Sequence, residues 1–372
     1  MTSKICHVTS AHDKYDTRIF HKECKSLAKQ GYDTYLLVNG NGKNEEIDNV
    51  KIINTGFVPK SRKERMKNSS KYIKQKCLDI NADIYHLHDP ELFAIVKFLK
   101  TNGKKVIFDS HEDYMSTIKD KDWIPKVFRG VVAKLFGLYE RYIIKKIDAA
   151  IVCYHWTLER YLQYLPKQKV CMILNFPIVA DENLSKVSNQ CNCISYAGGI
   201  SAQWCHKNII KALENIKCVR YILAGDTSNS YASSLKQMDG WKFVDDMGVI
   251  PQEDVEKMVY SNSFAGMALL DYITQCKGNI GNLSNTKFFE YMKAGLPLIC
   301  TDFILWKEII NKEKCGICVN PHNVDEIANA IKYLANNREQ AIKMGQNGRK
   351  AVIEKYNWTN ESEKLFRLYE LV

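Results

Sequence analysis

Residues 281–297 read Gly-Asn-Leu-Ser-Asn-Thr-Lys-Phe-Phe-Glu-Tyr-Met-Lys-Ala-Gly-Leu-Pro, a polar loop followed by a short helix that leads into an apolar segment. Asn285 or Thr286 can cap the helix, which leaves backbone N–H groups and the positive end of the helix dipole for an anion, with the Lys287 ammonium beside them. Glu290 follows three residues later and can share the same helix face. The segment predicts a diphosphate site with a carboxylate for ribose hydroxyls; an amphipathic surface helix is the alternative.

The alternation of helix and apolar strand continues on both sides of this stretch. Strands are predicted at 5–10, 34–38, 50–54, 84–88, 105–109, 149–153 and 170–174, and then at 193–197, 220–224, 241–244, 264–270, 298–300 and 316–319. The first helix, 16–30, is expected to end at Gly31 in a left-handed conformation. Strands and helices in alternation indicate parallel sheets built from βαβ units.

The chain length favours two domains, because 372 residues exceed the roughly 250–300 at which a single core usually splits. Residues 178–192 are polar and unpatterned, which is typical of a linker. We therefore predict an α/β fold of two tandem Rossmann-like, doubly wound domains, 1–177 and 193–354. Such sheets bind ligands at the carboxyl ends of their strands, and two of these edges could face each other across a cleft.

The composition indicates the cellular compartment in which the protein is expected to act. The first residues read as a strand rather than a signal peptide, and no apolar run approaches the roughly 18 residues of a spanning helix. Thirteen scattered cysteines, an odd number, indicate reduced thiols in the cytoplasm. The single CxxC pair, Cys315 and Cys318, lies in an apolar run and is interpreted as buried strand thiols rather than a zinc site.

The net charge of +11 is concentrated in the first half of the chain. Segments 58–76 and 119–146 mix basic residues, among them Lys126, Arg129 and Lys134, with aromatic ones. Such a surface fits an anionic bilayer or a phosphate-rich acceptor, with an ordinary solvated helix face as the alternative. Nucleic acid is not a predicted partner, because no nucleic-acid module is recognised.

Glycines stand at predicted strand ends in the second domain. Gly198 and Gly199 close its first strand, where paired glycines allow close approach of a phosphate. Gly225 ends the next strand, and Val249 and Ile250 follow the glycine that ends a third. A tight turn explains each glycine alone, but together with the stretch at 281–297 they predict the edge of one nucleotide pocket.

Two strands of the first domain end in neighbouring imidazole and carboxylate groups, at 85–91 and 108–113. His86 and His88 share a strand face, so zinc is considered, but without a clear third ligand no metal is predicted. His111 is interpreted as a hydrogen-bond partner of a sugar hydroxyl or of a developing charge, and a structural histidine that caps the next helix is the alternative.

Seven motifs are spread along the chain. They are Asp-Thr-Arg-Ile-Phe-His-Lys-Glu at 16–23, Ser-Leu-Ala-Lys-Gln-Gly-Tyr at 26–32, His-Leu-His-Asp-Pro-Glu at 86–91, Asp-Ser-His-Glu at 109–112, Asn-Phe-Pro at 175–177, the run 285–297, and Lys-Tyr-Asn-Trp at 355–358. In these the chain resembles, nearly end to end, the family 4 glycosyltransferases of GT-B architecture. The resemblance implies retaining transfer from a nucleoside diphosphate sugar, usually without a metal. It also implies a nucleotide-binding second domain, an acceptor-binding first domain, and a C-terminal helix, 355–372, that crosses back to the first domain.

The resemblance assigns roles by position. Glu290 matches the ribose-binding acid of the family's E-x7-E motif, and Asn282 stands where its first acid, which contacts the donor sugar, is often found. Gly199 occupies the place of a diphosphate-binding Arg, Lys207 matches a diphosphate-binding Lys if an insertion is allowed, and Lys287 can take over that charge. The expected donor-binding residues are Gly198, Gly199, Lys207, Gly225, Val249, Ile250, Asn282, Asn285, Thr286, Lys287 and Glu290. The expected catalytic residues are His111, Lys287 and Glu290. The expected acceptor contacts are Asp16, Arg18, His88 and Glu112.

The function expected from these assignments is hexosyl transfer from a nucleoside diphosphate sugar, UDP-sugar favoured over GDP-sugar, to a lipid-linked saccharide acceptor. The product would serve a cell-surface polysaccharide or glycolipid, and the protein would be cytoplasmic and peripheral at the inner face of the membrane. No prosthetic group is expected. The alternatives are an epimerase or hydrolase of the same architecture, and a weakly active nucleotide-binding subunit that activates a partner transferase.

Overall fold

The computed structural model describes residues 3–121, 123–179 and 191–372. The chain divides into two compact units, one formed by Met1–Asn175 with Trp358–Val372 and the other by Phe176–Asn357. Most of the expected linker, 178–192, lies outside the described residues. The linker and the expected domain bounds therefore stay predictions.

Strands and helices alternate along the described residues. The strands are β1 Lys4–Thr9, β2 Asp33–Val38, β3 Glu45–Ile47, β4 Val50–Asn54, β5 Ile84–Leu87, β6 Lys105–Ser110, β7 Ala149–Val152, β8 Val170–Met172, β9 Cys193–Ala197, β10 Arg220–Ala224, β11 Val244–Gly248, β12 Ala265–Ala268, β13 Leu298–Thr301 and β14 Gly316–Val319. The α-helices are α1 Lys25–Lys29, α2 Arg62–Ile80, α3 Phe93–Thr101, α4 Tyr114–Lys119, α5 Lys126–Ile144, α6 His155–Tyr161, α7 His206–Ile216, α8 Ser230–Lys236, α9 Thr286–Lys293, α10 Ile304–Glu313, α11 Val324–Asn336, α12 Arg338–Glu354 and α13 Trp358–Glu370.

The first unit is built on one sheet with the strand order β3-β4-β2-β1-β5-β6-β7-β8. All pairs are parallel except β3 with β4. Side chains alternate between two buried faces, since Val8 of β1 packs in a core with α2 and α3 whereas Ile5 packs in a core with α13. Helices on both faces explain why the central strands read as continuous apolar runs.

The second unit has a parallel sheet with the order β11-β10-β9-β12-β13-β14. The carboxyl ends of β9, β10 and β11 lie side by side, because Gly198 N donates to Ala224 O at 2.9 Å and Gly225 N donates to Gly248 O at 2.8 Å. Two parallel-sheet α/β domains confirm the predicted fold class.

Two strand assignments require correction. A strand was expected at 241–244, but residues Asp239–Phe243 form a 3₁₀ turn and β11 begins only at Val244. Asp245 and Asp246 interrupt the apolar pattern of β11, so the sequence does not reveal this strand. An edge strand tolerates charged residues because it is paired on one side only. The short antiparallel β3 was not predicted, since its Glu-Glu-Ile sequence carries no strand pattern.

The first helical segment starts as a π-helix, Ile19–Cys24, and continues as α1. Gly31 has a φ of +92°, so the expected left-handed end of the helix is confirmed. The last helix, α13, packs within the first unit, where the Trp358 Nε1 donates to Ser26 Oγ at 2.8 Å. None of the helices in the described parts of the chain is both long and apolar enough to cross a bilayer.

The thirteen cysteines form no disulfide in the described structure. Cys318 Sγ lies 3.7 Å from Cys300 Sγ on the neighbouring strand, and Cys315 is buried. The CxxC pair therefore belongs to the packing of β13 and β14.

Candidate active site

Helix α9 begins at the residue that the sequence offered as one of two caps. The Asn285 Oδ1 accepts a hydrogen bond from Lys287 N at 3.1 Å, and Thr286 is the first helical residue. Asn285 is therefore the N-cap. Lys287 is the second residue of the helix, so its ammonium belongs to the same end of α9 as the positive end of the helix dipole.

The Lys287 ammonium lies close to the rings of Trp204 and Tyr196 and to Gly198. Its Nζ lies 4.3 Å from the centre of the Trp204 ring and 5.2 Å from that of Tyr196. Burial lowers the pKa of Lys287 to about 8, and within the described residues no carboxylate pairs with it. A cation that is partly desolvated and lacks an anionic partner is suited to receive one from a ligand.

Glycines at the ends of β9 and β10 make room for this arrangement. A Cβ added at Gly198 would lie 2.7 Å from Lys287 Nζ, and one added at Gly225 would overlap the carbonyl oxygen of Gly198. Gly198, Gly225 and Lys287 were predicted from separate segments of the sequence, and the fold brings them together. Val249, 78% exposed, lies just beyond the end of β11, and Ile250 follows it half-buried.

Other expected donor residues have different surroundings. Gly199 and Lys207 are exposed, and Glu290 is half-buried on α9. Asn282 is nearly buried, its Nδ2 donates to Cys276 Sγ at 3.3 Å, and its Oδ1 accepts from Ser284 N at 3.0 Å. We therefore correct the expectation of a donor contact from Asn282, because its amide is used to shape the loop.

In the first unit, His111 follows the end of β6, and its ring contacts two buried side chains. Its Nε2 lies 3.1 Å from Asp109 Oδ2 and 3.1 Å from His88 Nδ1. The Arg18 guanidinium, itself buried, donates to Asp109 through Nε at 2.8 Å and Nη2 at 3.1 Å. The pKa of Asp109 is held well below its usual range, because Arg18 and His111 outweigh its burial.

Two expected acceptor contacts are therefore corrected. Arg18 and His88 are buried in the interior of the first unit, so they support Asp109 and His111 instead of meeting a ligand. Asp16 accepts hydrogen bonds from Arg18 N and Ile19 N, each at 2.8 Å, and so stabilises the start of the π-helix. Asp16 is partly exposed, and its proposed acceptor contact stays a prediction.

A cavity of about 560 Å³ opens beside His111, and Glu112 contributes to its wall. Its polar lining includes His12, Arg62, Arg65, Asp89, Glu91, His111, Glu112, Thr117 and Lys121. Its apolar lining includes Ile118, Trp123, Ile124, Val132, Phe136 and Tyr139. The cavity is thus lined by both charged and apolar side chains, which suits an amphiphilic ligand.

His12 was missed by the sequence interpretation, although it lies in this cavity. Its Nδ1 is 3.1 Å from Asp89 Oδ1, and burial lowers its pKa less than Asp89 raises it, so the net pKa is raised. Arg65 is bound to Glu91 at 2.8 Å, whereas Arg62 stacks on Trp123 with its guanidinium carbon 4.9 Å from the ring centre. Only the basic character of segment 58–76 signalled these arginines.

Comparison with known proteins identifies the family. Residues 17–176 match the model named Glycosyltransferase Family 4, and residues 285–351 match the model named Glycosyl transferases group 1. The chain belongs to the family 4 glycosyltransferases. The expected family is therefore confirmed, and the second match covers α9 with Asn285, Lys287 and Glu290.

Solved structures of glycosyltransferases share the GT-B fold of this family member. Sucrose-phosphate synthase from Thermosynechococcus elongatus has a TM-score of 0.74 at 16% identity, with 99% of this chain and 98% of that chain covered. Anabaena HepE, solved with UDP and glucose, has a TM-score of 0.71 at 11% identity, with both chains fully covered. At these identities the likeness concerns the fold.

A curated relative matches over a short stretch. The GDP-mannose-dependent alpha-(1-6)-phosphatidylinositol monomannoside mannosyltransferase of Mycobacterium tuberculosis is 32% identical over 78 residues, which are 21% of this chain. The match spans about a fifth of the length of that relative, 20%.

Proposed function

We propose that this family 4 protein is a retaining glycosyltransferase that takes a sugar from a nucleoside diphosphate donor bound to the second unit. The observation that carries the proposal is the Lys287 ammonium, desolvated and placed against Gly198 at the start of α9. Charge-assisted bonds from an ammonium and from helix N–H groups are the usual means of holding a diphosphate. Glu290, three residues along the same helix, is assigned to the ribose hydroxyls.

The donor base is proposed to be uracil. HepE was solved with UDP, whereas the short curated match belongs to a protein whose name specifies GDP-mannose. We favour UDP because the HepE likeness extends over the whole chain.

In the proposed reaction, an acceptor hydroxyl attacks the anomeric carbon from the face that the diphosphate leaves. The new bond joins the acceptor oxygen to the anomeric carbon, the bond from that carbon to the diphosphate oxygen breaks, and the acceptor proton moves to the departing diphosphate. Lys287 and the start of α9 stabilise the charge that grows on the diphosphate. His111, oriented by Asp109 and His88, is assigned to the reacting sugar, as in the family.

The acceptor is proposed to be a lipid-linked saccharide that binds the cavity of the first unit. Its charged side chains, among them Arg62, His12 and Glu112, suit a phosphate and sugar hydroxyls, and its apolar side chains suit the first part of a lipid chain. Helix α5 continues this apolar surface outward, with Val127 80% and Leu135 61% exposed. We therefore propose a cytoplasmic protein that is peripheral at the inner face of the membrane and acts in cell-surface polysaccharide or glycolipid synthesis.

The first test is the melting temperature of the purified protein with UDP, GDP, dTDP, ADP and CDP in turn, because a ligand that binds only the folded state raises it. One diphosphate, UDP by expectation, should stabilise the protein, and Glu290→Ala should abolish that stabilisation. No stabilisation by any of the five would contradict the donor site. The nucleotide sugar of the selected base, incubated with lipid extract, should then yield a glycosylated lipid with the donor's anomeric configuration.

A nucleotide-binding subunit that activates a partner transferase is the second candidate. The observation in its favour is Asn282, which replaces an acid common in the family and is turned into its own loop. Diphosphate binding without transfer until a partner protein is added would favour this candidate. Transfer by the chain alone would exclude it.

A further inference from the structure

Three histidines and one glutamate meet in the interior of the first unit, behind the cavity. His7 lies on β1, His86 lies on β5 directly opposite it, and His88 follows on the same face of the sheet. Glu23 reaches them from the π-helix that covers this face. All four side chains are completely buried.

The Glu23 carboxylate is nearly equidistant from the three rings. Its Oε2 lies 3.8 Å from His7 Nδ1, 4.0 Å from His86 Nε2 and 3.9 Å from His88 Nε2. The His7 and His88 nitrogens are 2.9 Å apart. In a tetrahedral site with bonds of about 2.0–2.1 Å, neighbouring ligand atoms are about 3.3 Å apart, so the three distances from Glu23 would shorten by about 0.5–0.7 Å and the distance from His7 to His88 would lengthen by about 0.4 Å.

The outer nitrogen of each ring is already bound. His86 Nδ1 lies 2.8 Å and His7 Nε2 3.3 Å from Tyr369 OH, and His88 Nδ1 lies 3.1 Å from His111 Nε2. Each ring thereby directs its other nitrogen at Glu23. Histidines that ligate metals are oriented in this way, by a hydrogen bond at the nitrogen that faces away from the metal.

In the described structure, two of the inner groups, those of His86 and Glu23, lack hydrogen bonds, whereas the inner nitrogens of His7 and His88 bond each other. Within the described residues, His86 Nε2 and both carboxylate oxygens of Glu23 are buried without a hydrogen-bond partner. Glu23 and Asp109 share a single guanidinium, since Arg18 Nε is 3.0 Å from Glu23 Oε1 and 2.8 Å from Asp109 Oδ2. If both carboxylates are ionised, Arg18 balances only one of them, and a metal ion or a proton within the cluster would balance the other.

We propose that His7, Glu23, His86 and His88 bind one divalent transition metal ion, with Zn²⁺ as the best match to three imidazoles and one carboxylate. The ion would join β1, β5 and the π-helix and would complete the buried polar network. Four protein ligands fill a tetrahedral coordination shell, so the role is structural. The sequence argument against zinc rested on the absence of a third ligand, and His7 and Glu23 supply a third and a fourth.

The test begins with the full chain produced in zinc-supplemented medium, washed with a chelator and analysed for metals. We expect about one zinc ion per chain, because a buried structural site loads as the protein folds and exchanges slowly. Glu23→Gln and His86→Phe should lose it. His206→Phe is the matched control, since His206 is equally buried, lies in the second unit beside Tyr221 and should leave the metal content unchanged.

A second measurement, on the wild-type chain, tests the metal site even if the variants do not fold. The wild-type chain, refolded from denaturant with zinc or with a chelator, should recover a higher melting temperature with zinc, and X-ray absorption should show nitrogen and oxygen ligands at about 2.0–2.1 Å. A metal content below about one tenth of an ion per chain, with equal melting temperatures, would overturn the proposal and leave a proton within the cluster as the balancing charge. Equal zinc content in wild type and Glu23→Gln would overturn it as well.

Discussion

The Lys287 side chain occupies the space that a side chain at Gly198 would need. A Cβ at Gly198 would lie 2.7 Å from Lys287 Nζ, and Gly198 has a φ of +145°, which other residues rarely adopt. The strand end and the helix start, which are almost ninety residues apart in sequence, therefore depend on each other.

Gly198→Ala should consequently displace the Lys287 ammonium and weaken diphosphate binding. We expect a loss of about tenfold or more, because a hydrogen bond to a charged group is worth roughly 1.5–3 kcal/mol. Gly130→Ala is the control, since Gly130 lies on α5 in the first unit and nothing lies within 4 Å of the added Cβ. Titration calorimetry with UDP would measure both, and equal losses in the two variants would contradict the coupling.

The pH dependence of diphosphate binding should report on Lys287. Burial lowers its pKa to about 8, so the free site loses its positive charge as pH rises above about 8, and affinity should fall between about pH 8 and 10. Folding stability should move the other way there, because the unfolded lysine, with a pKa of about 10.4, still binds its proton. In Lys287→Arg the charge persists and the affinity should be flat over this range. A flat profile for the wild type would remove Lys287 from the site.

Glu290 is expected to distinguish ribose from deoxyribose. The wild type should bind UDP more tightly than 2′-deoxy-UDP, because the carboxylate accepts the hydroxyls, and Glu290→Gln should lose about tenfold in UDP affinity and most of that preference. Glu308→Gln, an exposed change on α10, should behave as the wild type. If Glu290→Gln still discriminates between the two nucleotides, the ribose is held elsewhere.

Helix α5 should bind anionic vesicles. Its exposed apolar residues include Val127, Val131, Leu135 and Leu138, and Lys126 and Lys134 are exposed on the same helix. Val131→Ser with Leu135→Ser should weaken vesicle sedimentation at every salt concentration, by about a hundredfold if each side chain contributes roughly 1.5 kcal/mol. Lys126→Glu with Lys134→Glu should remove mainly the salt-sensitive part.

The control for this helix lies on α12, where Ile353→Ser with Lys350→Glu changes a comparable exposed pair. Arg129, which the sequence grouped with the lysines, is unsuitable, because its Nε donates to Ile124 O at 2.8 Å and supports the preceding turn. Vesicle binding that is insensitive to both α5 variants would exclude the membrane contact.

The two faces of the sheet in the first unit carry different kinds of side chains along β1 and β5. Alternate residues of β1 and β5 contribute either to an ordinary apolar core or to the histidine cluster, and His7 and His86 are directly opposite. From sequence, His7 looked like one polar residue in a strand. Its partners on β5 and the π-helix are distant in the chain, so no local pattern could reveal the cluster.

Local patterns in the sequence determined the two parallel-sheet domains, the cap and helix of 285–293, and the glycines at the strand ends, because hydrophobic period, capping and turn chemistry depend on neighbouring residues. Tertiary structure alone decided which polar groups are buried. Arg18, His88 and Asn282 were assigned to ligands, yet packing turns them inward, and it brings Glu23 to three histidines and leaves the apolar side of α5 exposed. Burial and partnership depend on segments far apart in the chain, and only the folded packing brings those segments together.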